Sequence, residues 1–229
     1  MVALLRLHGR QLLVFLHSYG RSLLVLFFAL LLPLVGFVAL AAQVYTQDSF
    51  SFERPLMLAV HAQSAPPFDR LAASLAAFGN TPGMLPLTLI LAACLYRVRS
   101  RLTYFLLLAL AGSVVFHAVL KQTVDRPRPK LWIPLTPEAD FSFPSGHAMF
   151  ATSLVSALVV LVWPTRWRGA ALVLGTGYVL TMMWSRVYSG VHYPTDVLAG
   201  ALVGLMWVMA LNRLLRGHRL LGPASQPQN

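Results

Sequence analysis

Six stretches of the chain carry no charged side chain: residues 22–47, 71–96, 102–120, 141–165, 169–185 and 197–212. Within them apolar residues run continuously instead of alternating with polar ones, and between them charges crowd into short segments. At about 1.5 Å of rise per helical residue, each run approaches the roughly 30 Å thickness of a bilayer's hydrocarbon core once the side chains at its ends reach outward. The pattern predicts an all-α polytopic membrane protein with six transmembrane helices. With 57% hydrophobic and only 11% charged residues, and a mean hydropathy of +0.67, a soluble globular protein is excluded.

The formal net charge of +11 would raise nucleic-acid binding in a soluble chain, but its distribution speaks for topology instead. Arg6, Arg10 and Arg21, then Arg97, Arg99 and Arg101, then Arg166 and Arg168, then Arg213, Arg216 and Arg219 fall in alternate loops and the termini. The positive-inside rule assigns these segments, and both termini, to the cytoplasm. All seven acids fall on the other side, matched there by as many bases, so the whole excess is cytoplasmic and favours anionic inner-leaflet lipid. No nucleic-acid partner is expected. The single cysteine, Cys94, excludes an internal disulfide and is expected to be a packing residue. Ala39-Leu40-Ala41 resembles a signal-peptidase site, yet the apolar run before it exceeds the length of a signal peptide's apolar core, which favours a retained anchor.

The chain reads as one membrane domain over 1–229. Residues 1–20 mix leucines with Arg6 and Arg10 as a helix lying in the inner interface would, and residues 222–229 read as a disordered tail. Pro33 and Gly36 predict a kink in the first span. Residues 48–82 form the first outer connection, in which Leu71, Leu75 and Phe78 recur at helical spacing before Gly79-Asn80, as in an interfacial helix. The inner loops at 97–101 and 164–168 are too short for much chemistry. The outer connection from Lys121 to Pro144 is stiffened by Pro127, Pro129, Pro134, Pro137 and Pro144.

Polar residues concentrate at the outer ends of the last four spans. Lys121 is followed at stiff spacing by Arg128-Pro129, a point charge and a planar fork suited to phosphate oxygens, or else a pair of snorkelling helix ends. Ser145-Gly146-His147 opens the fourth span: a serine N-cap and a glycine present free N–H groups to an anion, with a histidine in the first turn. Arg186 precedes His192 and Asp196, where Pro194 starts the sixth span. An aspartate four residues beyond the histidine can accept its N–H and leave the other ring nitrogen free as a nucleophile. Two histidines with a carboxylate also allow a metal site, but Lys121, Arg128 and Arg186 would repel a divalent ion while stabilising a phosphoryl transition state.

These three clusters, covering residues 121–196, resemble the signature of the type 2 phosphatidic acid phosphatases, with every signature position filled. The resemblance implies phosphate hydrolysis with no metal or cofactor. His192 would attack phosphorus, Asp196 would orient it, and His147 would protonate the leaving oxygen. Lys121, Arg128, Ser145, Gly146 and Arg186 would hold the phosphate. His117, one turn before Lys121, could support the phosphate ligands from behind but is expected first as a packed or interhelical residue; Trp184, Tyr188 and Tyr193 are expected as interface aromatics. Asp125 and Arg126 would pair with each other or adjust headgroup choice.

A site at headgroup depth, open to the outer leaflet of a bacterial inner membrane, implies a membrane lipid phosphate as partner. By resemblance it is undecaprenyl diphosphate or phosphatidylglycerophosphate, followed by phosphatidic acid and lipid A phosphates. The competing class is a lipid or phosphate transporter using the same cations, which the lack of charge inside the spans opposes. A cysteine at Glu138 or Ser189 should react with an impermeant thiol reagent in intact cells and one at Arg99 should not; labelling at Arg99 would reverse the orientation.

Overall fold

The computed structural model describes residue 20, residues 23–24, residues 26–47 and residues 49–217. The expected interfacial segment, apart from residue 20, and the tail at 222–229 lie outside the described residues. Among the described residues eight α-helices follow in order: α1 (Leu32–Gln47), α2 (Glu53–His61), α3 (Pro66–Gly79), α4 (Thr81–Val98), α5 (Ser100–Lys121), α6 (Gly146–Val162), α7 (Arg168–Tyr188) and α8 (Pro194–Gly217). Among the described residues there is no strand. Five helical stretches are long and apolar enough to cross a membrane: Phe27–Gln47, Thr81–Val98, Ser100–Lys121, Arg168–Tyr188 and Pro194–Leu215. The chain is an integral membrane protein, and its outward faces fit one: Val115 is 60% exposed and Val173 and Leu174 are each 73% exposed, on helices a soluble fold would have to cover.

The element boundaries fall where the sequence placed its breaks, and the packing of Cys94 differs. The apolar run at 71–96 is not one helix. Asn80 is extended, with φ −81° and ψ 164°, and Pro82 opens a new helix, so the run divides into α3 and the span α4. α3 packs against α6 and α7. Within the run at 141–165 the helix begins at Gly146 with extended Ser145 at the N-cap position, as the Ser145-Gly146-His147 opening predicts. Cys94 is exposed on α4, whose single buried residue is Ala92; a helix packed along so narrow a stripe turns most of its surface outward. The irregularity foreseen at Pro33 takes the form of a π-helical turn, Phe27–Leu31, in which the Leu32 N–H donates to the Phe27 carbonyl just before the proline, whose ring nitrogen has no hydrogen to donate.

α6 is the central element, packed by α5, α7 and α8. It buries Ala148, Met149, Phe150, Ala151, Leu154 and Ala157. Without a hydrophobic drive between helices in lipid, close approach relies on small residues. α8 supplies them one turn apart: a β-carbon on Gly200 would strike the Ser145 carbonyl and one on Gly204 the Met149 carbonyl. This contact seats the first turn of α8 against the first turn of α6, where the Ser145 N–H also donates to the Asp196 carbonyl at 3.0 Å. Ser189 is fully buried, so exposed Lys130 is the better outer position for cysteine labelling. Gly204→Leu should overpack the α6–α8 contact and cost about 1–3 kcal/mol or more, read as a lower melting temperature of the detergent-solubilised protein.

Candidate active site

The residues singled out from the sequence meet at one end of the bundle. Lys121 closes α5, Ser145 to His147 open α6, Arg186 lies in the last turn of α7, and Asp196 lies in the first turn of α8. Arg128 comes from the α5–α6 connection and His192 from the turn before α8. His192 is 1% exposed and Asp196 fully buried. The imidazole Nδ1 lies 3.5 Å from Asp196 Oδ2 and 3.4 Å from Ser142 Oγ, a hydroxyl that itself donates to the same carboxylate oxygen at 2.5 Å. Asp196 Oδ2 also accepts the Tyr193 N–H at 2.8 Å. The Nδ1 proton is thus held, and Nε2 points the other way.

What Nε2 faces is a carboxylate that sequence analysis did not single out. Glu138 Oε2 lies 3.7 Å from His192 Nε2 and 2.6 Å from Arg128 Nη2. Its Oε1 accepts from Arg186 Nη2 and lies 4.0 Å from His147 Nδ1. A two-oxygen anion therefore sits between both histidines and both arginines. Arg128 is held further by the Asp140 carbonyl at 2.7 Å and the Val191 carbonyl at 2.8 Å, and its Nη1 is 3.3 Å from His192 Nε2. Lys121 pairs with Asp140. Arg186 is fully buried, yet its Nε and Nη1 have no acceptor. Ser145 is the N-cap of α6 by backbone only: its side chain makes no capping bond, and its buried Oγ lacks a partner.

His147 is oriented by an element the sequence did not connect to it. Its Nε2 lies 3.1 Å from the Ala76 carbonyl of α3, which leaves Nδ1 toward the site. A β-carbon on Gly79, at the end of α3, would strike the same ring. His117 is half-buried with its Nε2 unpartnered; a β-carbon on Gly146 would come 2.7 Å from that nitrogen, so glycine allows the start of α6 to meet α5. His117 thus lines the site and is not simply packed. Tyr188 is buried, not an interface aromatic: its hydroxyl donates to Asp69 at 2.5 Å and anchors α3. Trp184 stacks against it, with ring centroids 4.7 Å apart. Asp125 is exposed while Arg126 is turned inward, 2.6 Å from Glu53 and 2.5 Å from Asp196, with Tyr193 beneath its guanidinium.

The charges shift the acids and the histidine between them. Burial pushes the Glu138 carboxyl up, but His192, Arg186 and Arg128 outweigh it and hold it below the usual carboxylate range. Burial also raises Asp140, and the hydrogen bonds from Lys121 and Arg128 overcome it to leave that group at about 2. Burial lowers His192, only partly offset by its hydrogen bond to Asp196, so the neutral imidazole is favoured. A cavity of about 760 Å³ leads from this cluster between α4 and α5. Its far end is lined by Met84, Leu85 and Leu89 of α4 and by Leu107, Ala111 and Val114 of α5.

A helical membrane protein that aims a buried histidine–aspartate pair at an anion cradle of arginine, lysine and helix N-terminus has the make-up of a membrane phosphatase. The model of the PAP2 superfamily matches residues 102–219, and the chain belongs to that superfamily. Phosphatidylglycerophosphatase B of Bacillus subtilis is 29% identical over 176 residues, 74% of this chain and 86% of the relative. An undecaprenyl-diphosphatase of Sulfolobus acidocaldarius is 26% identical over 171 residues, 72% of this chain and 79% of the relative. The crystal structure of the transmembrane PAP2-type phosphatidylglycerolphosphate phosphatase from Bacillus subtilis matches with a TM-score of 0.76 at 25% identity, covering 83% of this chain and 97% of that one.

Both acids of the cradle have folded pKa values below their unfolded ones, so the stability they contribute is present above the ordinary carboxylate range and is lost as pH falls through the folded values, about 2 for Asp140. Thermal midpoints of the solubilised protein should fall across that window, and Asp140→Asn should make the slope shallower.

Proposed function

We propose that the protein hydrolyses a lipid phosphate or polyprenyl diphosphate without a metal, through a phosphohistidine intermediate. The observation that carries this is the set of buried donors lacking an acceptor, Arg186 Nε and Nη1 and Ser145 Oγ, around a point that Glu138 now occupies between the two histidines. The Glu138 carboxylate stands in for two phosphoryl oxygens. A tetrahedral phosphate carries more oxygens than a carboxylate and would use the spare donors, together with the Gly146 N–H in the first turn of α6 and the Lys121 ammonium.

In the first step His192 Nε2 forms a bond to phosphorus as the bond to the leaving oxygen breaks. Asp196 keeps the Nδ1 proton and stabilises the imidazolium that results. His147, with Nε2–H held by Ala76, gives its Nδ1 proton to the leaving oxygen. In the second step neutral His147 takes a proton from water as the water oxygen attacks phosphorus, which frees His192 and yields inorganic phosphate. Arg128, Arg186 and Lys121 supply the positive charge that a metal would otherwise bring.

The cavity between α4 and α5 suits an amphiphile: its apolar length takes a lipid chain while the headgroup reaches the cations. Undecaprenyl diphosphate and phosphatidylglycerophosphate are the favoured substrates. We place six spans in the membrane, counting α6, with both termini in the cytoplasm and the site on the outer side of a bacterial inner membrane; the arginine distribution supports this topology. A transporter would leave the His192–Asp196 pair without a purpose.

Detergent-solubilised protein should release phosphate from a panel of lipid phosphates with EDTA present, and His192→Ala should abolish release from all of them. His147→Ala should reduce kcat/KM more for a monoester, whose alkoxide leaving group needs the proton, than for a diphosphate, by a factor within roughly 10²–10⁴. Equal losses would leave His147 as a phosphate ligand only. Loss of activity in EDTA that a divalent metal restores, or transport without release, would overturn the assignment.

A further inference from the structure

Behind Asp196, on the side away from His192, lies a second set of buried charges. Arg126 and Glu53 are each 1% exposed. The Arg126 fork spans the gap: Nη1 reaches Asp196 Oδ1 at 2.5 Å and Thr195 Oγ1 at 2.9 Å, while Nη2 reaches Glu53 Oε2 at 2.6 Å. Thr195 Oγ1 donates to Glu53 Oε1 at 2.5 Å, and Glu53 Oε2 also accepts the Phe50 N–H at 2.9 Å. The Tyr193 ring lies 3.9 Å below the guanidinium. Glu53 opens α2, far from the reacting end in sequence, and Arg126 falls between the signature positions Lys121 and Arg128.

Burying an arginine with two carboxylates is expensive, and a structure that needed only packing would do as well with apolar side chains. The charges form a line with alternating sign: His192, Asp196, Arg126, Glu53. Arg126 alone would draw on the Asp196 carboxylate and weaken its hold on an imidazolium. Glu53 offsets that cation, so Asp196, Arg126 and Glu53 together keep one net negative charge facing the ring. That charge is required once His192 carries a phosphoryl group and becomes cationic.

We propose that Arg126 and Glu53 are positioning residues of the hydrolytic reaction: they fix the Asp196 carboxylate and set how strongly it stabilises the charged form of His192. The inference rests on His192 being the nucleophile. From the other elements, His192 is faced by Arg128 and Glu138 of the α5–α6 connection, and across the site by His147 of α6 and His117 of α5. None of these is altered in the variants below.

The acid limb of the kcat/KM pH profile reports the loss of the neutral nucleophile. Glu53→Gln keeps the side-chain shape but removes its charge, so Arg126 acts in full on Asp196 and the limb should move to lower pH. Arg126→Gln leaves two uncompensated carboxylates behind the ring, and the limb should move to higher pH. Each shift should be on the order of one pH unit, the effect of a unit charge roughly 10 Å away at an effective dielectric near 20. The double variant loses one charge of each sign, and its limb should return toward that of the wild type. In all three kcat should fall by more than KM changes, because the phosphate ligands are intact. A limb unmoved in both single variants, or moved the same way in both, would overturn the proposal and leave a packing role. Should Arg126→Gln fail to fold, an unmoved limb in Glu53→Gln decides the same question. Activity remaining in His192→Ala would instead defeat the nucleophile assignment; an inactive His192→Ala with unmoved limbs defeats only the positioning role.

Discussion

Arg128 and Arg186 converge on one small volume, and like charges do not gather there without an anion to hold them. Two unit charges about 7 Å apart repel by about 2 kcal/mol at an effective dielectric near 20, and Arg186 is fully buried. Glu138 supplies the anion, binding both guanidiniums through its two oxygens. The cradle is therefore assembled and charge-balanced before substrate arrives. A phosphate that replaces Glu138 inherits donors already aimed inward, so little reorganisation is left for the reaction itself. The same balance explains why the Glu138 carboxyl stays ionised despite its burial.

The bundle exists to bring four helix ends to that volume. The Gly200 and Gly204 face of α8 lets its first turn sit against that of α6, so His147, His192 and Asp196 share one neighbourhood although they come from separate elements. The α5–α6 connection then runs across the top, tied back by the Ser142 N–H to the Arg126 carbonyl at 2.8 Å and by the Leu135 N–H to Ser189 at 3.3 Å. Closed on itself by the first bond and joined to the end of α7 by the second, this proline-rich segment places Arg128, Glu138, Asp140 and Ser142 without being helical. α2 and α3 complete the site from below in sequence: Ala76 orients His147 and Glu53 meets Arg126.

Features set by local spacing were legible in the sequence. The His192–Asp196 pair is one helical turn long, and the Ser145-Gly146-His147 opening of α6 follows from its own residues, so both were found without knowledge of packing. The all-helical membrane class followed from runs of uncharged residues. Partnerships that cross elements were not legible. Glu138 looked like one of several acids in an outer loop, since nothing local joins it to Arg186 48 residues on. Arg126 was read as pairing with its neighbour Asp125 or adjusting headgroup choice, because its acceptors lie 70 and 73 positions away. The break at Asn80 was legible too, because Gly79-Asn80 ends the helical spacing of Leu71, Leu75 and Phe78 although apolar residues continue beyond it.

Burial separates the acids of this site by what each is free to do. Glu138 is 23% exposed and is held by side-chain cations and no described backbone donor, so it can swing out when a stronger anion competes for the same guanidiniums. Asp196 and Glu53 are 0% and 1% exposed and each accepts a backbone N–H as well as Arg126. Moving either would strand a buried charge, which costs several kcal/mol. On the proposed reaction one carboxylate gives way to substrate while the others stay fixed, and the difference comes from where the chain buries them. A hydrolase that must exchange anions while keeping one imidazole in a single tautomer needs both kinds, on opposite sides of the histidine ring.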